Sequence, residues 1–291
     1  MTNQVPKVSF AVIGGSGLYS MPGLTDISEH AITTPFGDPS DVVVIGTLNN
    51  TRVAFLPRHG RGHRLTPSEV PYRANIAALK TLGVTHIVSV SACGSLQAEL
   101  KPRDIVVPDQ LLDFTKGFRK ASFFGEGVVG HVSFANPFSS ALSKALVRAL
   151  LSSGGVTHDG GTFVTIEGPR FSSKAESNLF RAWGCDIVGM TCSPEAMLAR
   201  EAEIDFAVMA HVTDYDCWHD EEEPVTVQMV IERLHANLAL AQKCIAEIAP
   251  MIATLPHESA GASQFAVMTA ATAIPASARD RLSCIMGAYL T

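Results

Sequence analysis

Four times in this chain a short apolar run ends abruptly in glycine, hydroxyl or charged residues. Val8 to Ile13 runs into Gly14-Gly15-Ser16-Gly17, and Val42 to Leu56 leads to Arg58-His59-Gly60. His86 to Val90 runs into Ser91-Ala92-Cys93-Gly94, and Phe206 to Thr213 into Asp214-Tyr215-Asp216. Between these β-like runs lie stretches of helical period. Ser68 to Leu82 and Pro194 to Ala202 are two, and Pro137 to Ser153 carries Leu142, Ala145, Leu146, Ala149 and Leu150 on one face before Gly154-Gly155 ends it. Ser173-Lys174-Ala175-Glu176 has the spacing of a capping box, Asn49-Asn50 suits a hairpin turn, and Asp186 to Val188 reads as a short strand. Val225 to Ile248 reads as one long amphipathic helix. Such alternation predicts an α/β fold, a mixed central sheet flanked by helices on both faces. Ligands of α/β sheets bind outside the carboxyl ends of strands, where the polar residues cluster here.

Composition removes several function classes. A net charge of -6 argues against a nucleic-acid partner, which wants a basic face. The Lys116, Arg119 and Lys120 cluster is isolated. No uninterrupted apolar stretch approaches the roughly 18 residues of a membrane span, and Met1 to Lys7 has no hydrophobic signal core, so a cytoplasmic protein is expected. The six cysteines are scattered without zinc spacing and read as free, buried thiols. His59 and His63 flank Gly60-Arg61-Gly62, which is neither helical nor hospitable to a cation, so no metal is expected. Residues 1–254 read as the catalytic domain. Residues 255–291, rich in Ala, Ser and Thr, form an extension that either docks or is partly disordered.

The turns carry the chemistry. Gly14-Gly15-Ser16-Gly17 suits an anion cradle, because glycines admit close backbone N–H approach and Ser16 adds a hydroxyl. A structural turn is the plain alternative. A dinucleotide fingerprint fails, since its third small residue falls at Ser20 and Pro22-Gly23 follows where a helix belongs. Arg58 and His59 make either a solvated basic loop or an oxyanion site in which Arg58 forks onto the anion and His59 donates beside it. Ser91 and Thr191 gain weight only from following buried strands. Asp214 and Asp216 share one side of an extended chain, where repulsion and partial burial raise one pKa and hold a proton near neutral pH. A protonated Asp214 can give its proton to ring nitrogen 7 of a purine while ionised Asp216 accepts from a 6-amino group.

The runs Thr165-Ile166-Glu167-Gly168-Pro169-Arg170-Phe171-Ser172-Ser173, Gly189-Met190-Thr191 and Thr213-Asp214-Tyr215-Asp216-Cys217-Trp218 are together highly specific. Through them, from about Lys7 to Ile252, the chain resembles the methylthioadenosine branch of the trimeric purine nucleoside phosphorylase family. The resemblance implies a phosphate site from Ser16, Arg58, His59, Ser91, Ala92 and Thr191. It implies a base pocket from Phe171, Ser172, Asp214, Tyr215 and Asp216, with Met190 against the ribose. Val227 and Val230 would line the pocket for the 5′-methylthio group, and His131 would reach in from a neighbouring subunit of a homotrimer. Relatives often carry asparagine at the position of Gly189. The implied reaction is phosphorolysis of 5′-methylthioadenosine to adenine and 5-methylthioribose 1-phosphate, with Asp214 as the acid, phosphate as co-substrate and no cofactor. Rival readings are a 6-oxopurine nucleoside phosphorylase, which the carboxylate of Asp216 disfavours, and a non-catalytic adenine-nucleoside binding module, which has no need of the anion residues.

Overall fold

The computed structural model describes residues 7–219 and 226–290. The first part of the chain forms β1 (Phe10–Gly14), β2 (Thr25–His30), β3 (Val43–Leu48), β4 (Thr51–Pro57), α1 (Tyr72–Thr81), β5 (His86–Ser95), β6 (Ile105–Val107) and β7 (Gln110–Phe114). It continues through α2 (Ser140–Ser152), β8 (Thr157–Asp159), β9 (Thr162–Ile166), α3 (Lys174–Ala182), β10 (Ile187–Gly189), α4 (Cys192–Glu201) and β11 (Asp205–Asp214). Three helices follow, α5 (Val227–Ala236), α6 (Leu238–Ile248) and α7 (Ala276–Met286). The strands form one mixed sheet in the order β2-β3-β4-β1-β5-β10-β9-β7, with β11, β6 and β8 branching from the other edge of β5.

Both faces are covered. Ile76 and Leu79 of α1, Ala196 and Leu198 of α4, and Leu282 and Ile285 of α7 share one apolar cluster. Leu142, Leu146 and Leu150 of α2 meet Ala241, Ile245 and Ile248 of α6 in the other. The doubly covered strand β11 sends Phe206, Val208, Ala210 and Val212 to the first and Ala207 and Met209 to the second. Its run is therefore continuously apolar.

β5 positions the site. Along one edge β11 accompanies it in parallel from Asp205 opposite His86 to Asp214 opposite Gly94, with a bulge between Val212 and Asp214. Along the other edge β1 follows only as far as Ile13 opposite Ser89, and β10 joins antiparallel with Val188 opposite Gly94. Among the described residues no strand covers that edge from Val90 to Cys93, and the sheet splits open there.

Several elements depart from the sequence reading. The run Ser91-Ala92-Cys93-Gly94 is not a turn after β5 but part of it, because β11 pairs alongside. α1 begins at Tyr72 instead of Ser68, with Pro71 in the N-cap position. The single long helix is two, broken at Asn237 (φ -94°, ψ -2°), whose side-chain amide leaves the helix to donate to the Arg103 carbonyl at 3.0 Å. Val225, its expected start, lies outside the described residues. The capping box does form, Ser173 and Glu176 each bonding the other's backbone. The segment after Leu255 docks: Glu258 and Ser259 N–H groups donate to the buried Asp205 carboxylate at 2.9 and 2.7 Å. α7 then buries Ala278, Leu282, Ile285 and Met286 in the cluster that also holds Val8.

Candidate active site

The opening beside β5 gathers the residues assigned to the anion. The Arg58 N–H donates to the Gly14 carbonyl at 3.0 Å, locking the turn after β4 to the end of β1. The Arg58 side chain is 3% exposed, and its guanidinium is already engaged. Nε and Nη2 grip the Glu195 carboxylate at 2.5 and 3.0 Å, Nη2 also donates to Ser89 Oγ at 2.6 Å, and Nη1 donates to the Val90 carbonyl at 3.0 Å. The sequence suggested that this fork closes on an oxyanion. In the structure it closes on Glu195, and one Nη1 hydrogen is left over. Burial alone would lower the Arg58 pKa, but the Glu195 carboxylate outweighs it and holds the guanidinium above its ordinary value.

His59 differs in a similar way from the donor expected of it. Its Nδ1 lies 2.8 Å from the Leu65 carbonyl, which can only accept, so Nδ1 carries the ring proton and Nε2 presents a lone pair. Burial first, and Arg58 second, lower its pKa to about 4, which keeps the ring neutral. Ser91 Oγ is buried without a partner. Thr191 precedes α4, whose backbone leaves helical geometry at Ser193 (φ -93°, ψ 130°), and its hydroxyl makes no capping bond. A Cβ placed on Gly189 would lie 3.4 Å from the Ala92 carbonyl, so the segment leading to Thr191 runs along the uncovered edge of β5. Ser16 opens a 3-10 turn, Ser16–Tyr19, but its side chain lies outside the described residues.

At the far end of the opening stand Asp214 and Asp216, 6% and 7% exposed. The chain is not extended through them. Asp216 has φ +49°, and its N–H turns back to donate to Asp214 Oδ1 at 2.8 Å, while Thr213 Oγ1 donates to Oδ2 at 2.6 Å. Both carboxyls titrate above the usual aspartate range. For Asp214 burial is the leading cause, offset by its hydrogen bonds from Thr213 and the Asp216 backbone. For Asp216 burial again leads, offset by the Ser177 and Ser172 hydroxyls, which face the carboxylate without reaching full hydrogen-bond geometry. Repulsion between the pair is the smaller effect, contrary to the sequence argument. A Cβ on Gly94 would lie 2.9 Å from Asp214 Oδ1 and 3.2 Å from Asp216 Cβ, so the Asp214 carboxylate and the stem of the Asp216 side chain pack directly against that glycine.

The remaining assignments fall unevenly. Ser172, in the loop before α3, faces Asp216, and its neighbour Phe171 is 39% exposed. Met190 is half-buried against Gly168. Tyr215 turns away: its ring packs on Trp218 and His219 and its hydroxyl reaches the Ala98 carbonyl. Val227 is 65% exposed and Val230 half-buried on α5, which Arg233 ties to the Thr213 carbonyl. His131 is exposed, on a segment bonded to Ala266.

Sequence reasoning missed three supports. Arg119, part of the basic cluster that reads as isolated in the sequence, is 6% exposed and donates to the carbonyls of Met190, Ser193 and Glu167 at 2.6, 2.7 and 2.6 Å. It thereby fixes both sides of Thr191. Glu195, in the first turn of α4, carries no local signal of its role in the sequence. At Gly189 the ring of Phe163 takes the space a side chain needs, since a Cβ there would lie 2.6 Å from its Cζ. Paired hydrophobic and glycine positions so far apart in sequence give no local signal.

Along β5 the uncovered edge from Val90 to Cys93, with the unpartnered Ser91 hydroxyl, leads directly to Gly94, against which the buried Asp214 and Asp216 side chains pack. The chain belongs to the phosphorylase superfamily, whose pattern matches residues 9–250. It is 52% identical over 283 residues to the S-methyl-5′-thioadenosine phosphorylase of Synechocystis sp., covering 96% of this chain and 86% of that protein. The S-methyl-5′-thioadenosine phosphorylase of Chloroflexus aurantiacus is also 52% identical, covering 97% and 99%. Among solved structures, a methylthioadenosine phosphorylase from an antarctic soil metagenomic library superposes with TM-score 0.91 at 49% identity, covering 96% of this chain and 99% of that one. The Schistosoma mansoni methylthioadenosine phosphorylase in complex with adenine gives TM-score 0.80 at 40% identity, covering 85% and 93%.

Proposed function

We propose that this protein cleaves 5′-methylthioadenosine with inorganic phosphate, releasing adenine and 5-methylthioribose 1-phosphate. The observation that carries the reading is the buried Asp214 and Asp216 pair resting on Gly94 at one end of the β5 opening. As the glycosidic bond stretches, negative charge gathers on the leaving purine. Asp214, whose pKa burial raises, gives its proton to ring nitrogen 7, and Asp216 accepts from the 6-amino group.

Phosphate is the nucleophile, and no cofactor enters the reaction. It binds along Val90 to Cys93, with Ser91 Oγ, Thr191, the free Nη1 hydrogen of Arg58 and the backbone at Ala92 as donors, Ser16 completing the cradle. Neutral His59 accepts the hydrogen of a protonated phosphate. The anion attacks the sugar from the face opposite the base and inverts the anomeric carbon.

Phe171 and Ser172 close on the base and Met190 on the ribose. The half-exposed apolar side of α5, Val227 and Val230, takes the methylthio group, with His131 supplied by a second subunit of a homotrimer. An α5 that buries none of its own residues within one chain supports this shared site. Six unpaired cysteines fit the reducing cytoplasm. The test is incubation with methylthioadenosine, adenosine and inosine, each with and without phosphate. Adenine released only when phosphate is present supports the proposal; release from inosine at an equal rate refutes the base assignment.

A further inference from the structure

Arg58 cannot both grip an anion with its fork and hold the bonds it has. Glu195 is fully buried on α4, four residues after Thr191, and it takes Nε and Nη2 of Arg58. Ser89 on β5 ties the pair together, accepting from Nη2 at 2.6 Å and donating to Glu195 Oε2 at 3.0 Å. The third anchor is the Val90 carbonyl on Nη1. Four elements, the end of β1, whose Ile13 carbonyl lies 3.4 Å from Nη2, the turn after β4, the middle of β5 and the start of α4, therefore meet at one guanidinium. An arginine has five donors in a rigid plane, so fixing one edge fixes the direction of the remaining hydrogen.

Resting on the phosphate reading above, we infer that Glu195 is the positioning residue of the phosphate site. It does not touch the anion. It orients Arg58 so that a single Nη1 hydrogen faces the opening, and it anchors the start of α4 just beyond the non-helical Ser193 that joins it to Thr191. It also cancels the arginine's charge, so the resting cleft is close to neutral, and what recognises phosphate is directed hydrogen bonding more than net charge.

The test is direct binding of inorganic phosphate to the intact protein by calorimetry, without turnover, beside binding of adenine in phosphate-free buffer. Glu195→Gln keeps the shape and loses the bidentate acceptor; Ser89→Ala is a milder variant that keeps the carboxylate, in case the first fails to fold. Phosphate affinity is expected to fall roughly tenfold or more in Glu195→Gln and by a smaller factor in Ser89→Ala, with adenine affinity within about twofold in both. Unchanged or tighter phosphate binding in a folded variant overturns the inference, as does an equal loss of adenine binding, which marks general damage. A wild-type protein that binds adenine but no phosphate sinks the reading beneath it, and the inference with it.

Discussion

Replacing Asp214 by Asn removes one transferable proton and little else, and the structure says why. The acceptor that receives the Asp216 N–H must remain a carbonyl oxygen, so the new amide NH2 takes the place of Oδ2 beside Thr213. Thr213 can accommodate it, because its hydroxyl already lies 3.2 Å from the Cys93 carbonyl and can donate there instead. The amide still donates a hydrogen bond to a purine nitrogen but cannot protonate it. Loss of a positioned acid costs ~100- to 10,000-fold in turnover, about 2.7 to 5.4 kcal/mol of barrier. Adenine affinity should fall only a few-fold.

The sign of the pH effect follows from the same group. Burial raises the Asp214 pKa above 3.8, so the acid form persists beyond where a free aspartate ionises. Activity carried by that form falls as pH rises through the raised pKa, and the Asn variant lacks that limb. A raised folded pKa also means that folding stability is lost as pH climbs past 3.8, so the Asn variant should be at least as stable near neutrality. Adenine release followed across pH, with thermal melts of both proteins, tests this. A folded Asn variant within tenfold of wild-type turnover refutes the acid role.

Asp216→Asn should shift preference toward 6-oxo bases, measured as the ratio of adenine to hypoxanthine released from matched nucleosides; an unchanged ratio removes the argument for adenine. Gly94→Ala forces a methyl to within 2.9 Å of Asp214 Oδ1, and should weaken adenine binding by roughly tenfold or more while phosphate binding survives, as calorimetry reads separately. Leu282→Ala should destabilise the whole protein by about 2 to 5 kcal/mol in denaturant, since α7 shares the core of β1 and α4; a loss below 0.5 kcal/mol would make the segment after Leu255 an appendage.

What could be read from the sequence was what local chemistry dictates. The apolar strands, the Ser173 to Glu176 cap, the Asn49-Asn50 hairpin and the carboxylate pair all announce themselves within a few residues. The strands Thr25–His30, Gln110–Phe114 and Thr157–Asp159 do not, because they are short or largely solvated and owe their conformation to a neighbour. The same holds within the site. Arg58 was legible as a functional arginine, but its partner Glu195 lies 137 residues away and only the fold joins them. Arg119 read only as part of an isolated basic cluster for the same reason. The split in the sheet beside Val90 to Cys93, which creates the cleft, depends on where β1 stops and β10 begins, a property of register that composition does not encode.

The most direct measurement is phosphorus NMR of a mixture of protein, methylthioadenosine and inorganic phosphate, with adenine monitored in the same tube. The account predicts that each adenine released consumes one phosphate and yields a sugar 1-phosphate whose anomeric carbon is inverted. Adenine set free while inorganic phosphate stays unchanged would mean water is the nucleophile, and a product of retained configuration would mean attack from the same face as the base; either contradicts a cleft that holds anion and base on opposite sides of one sugar.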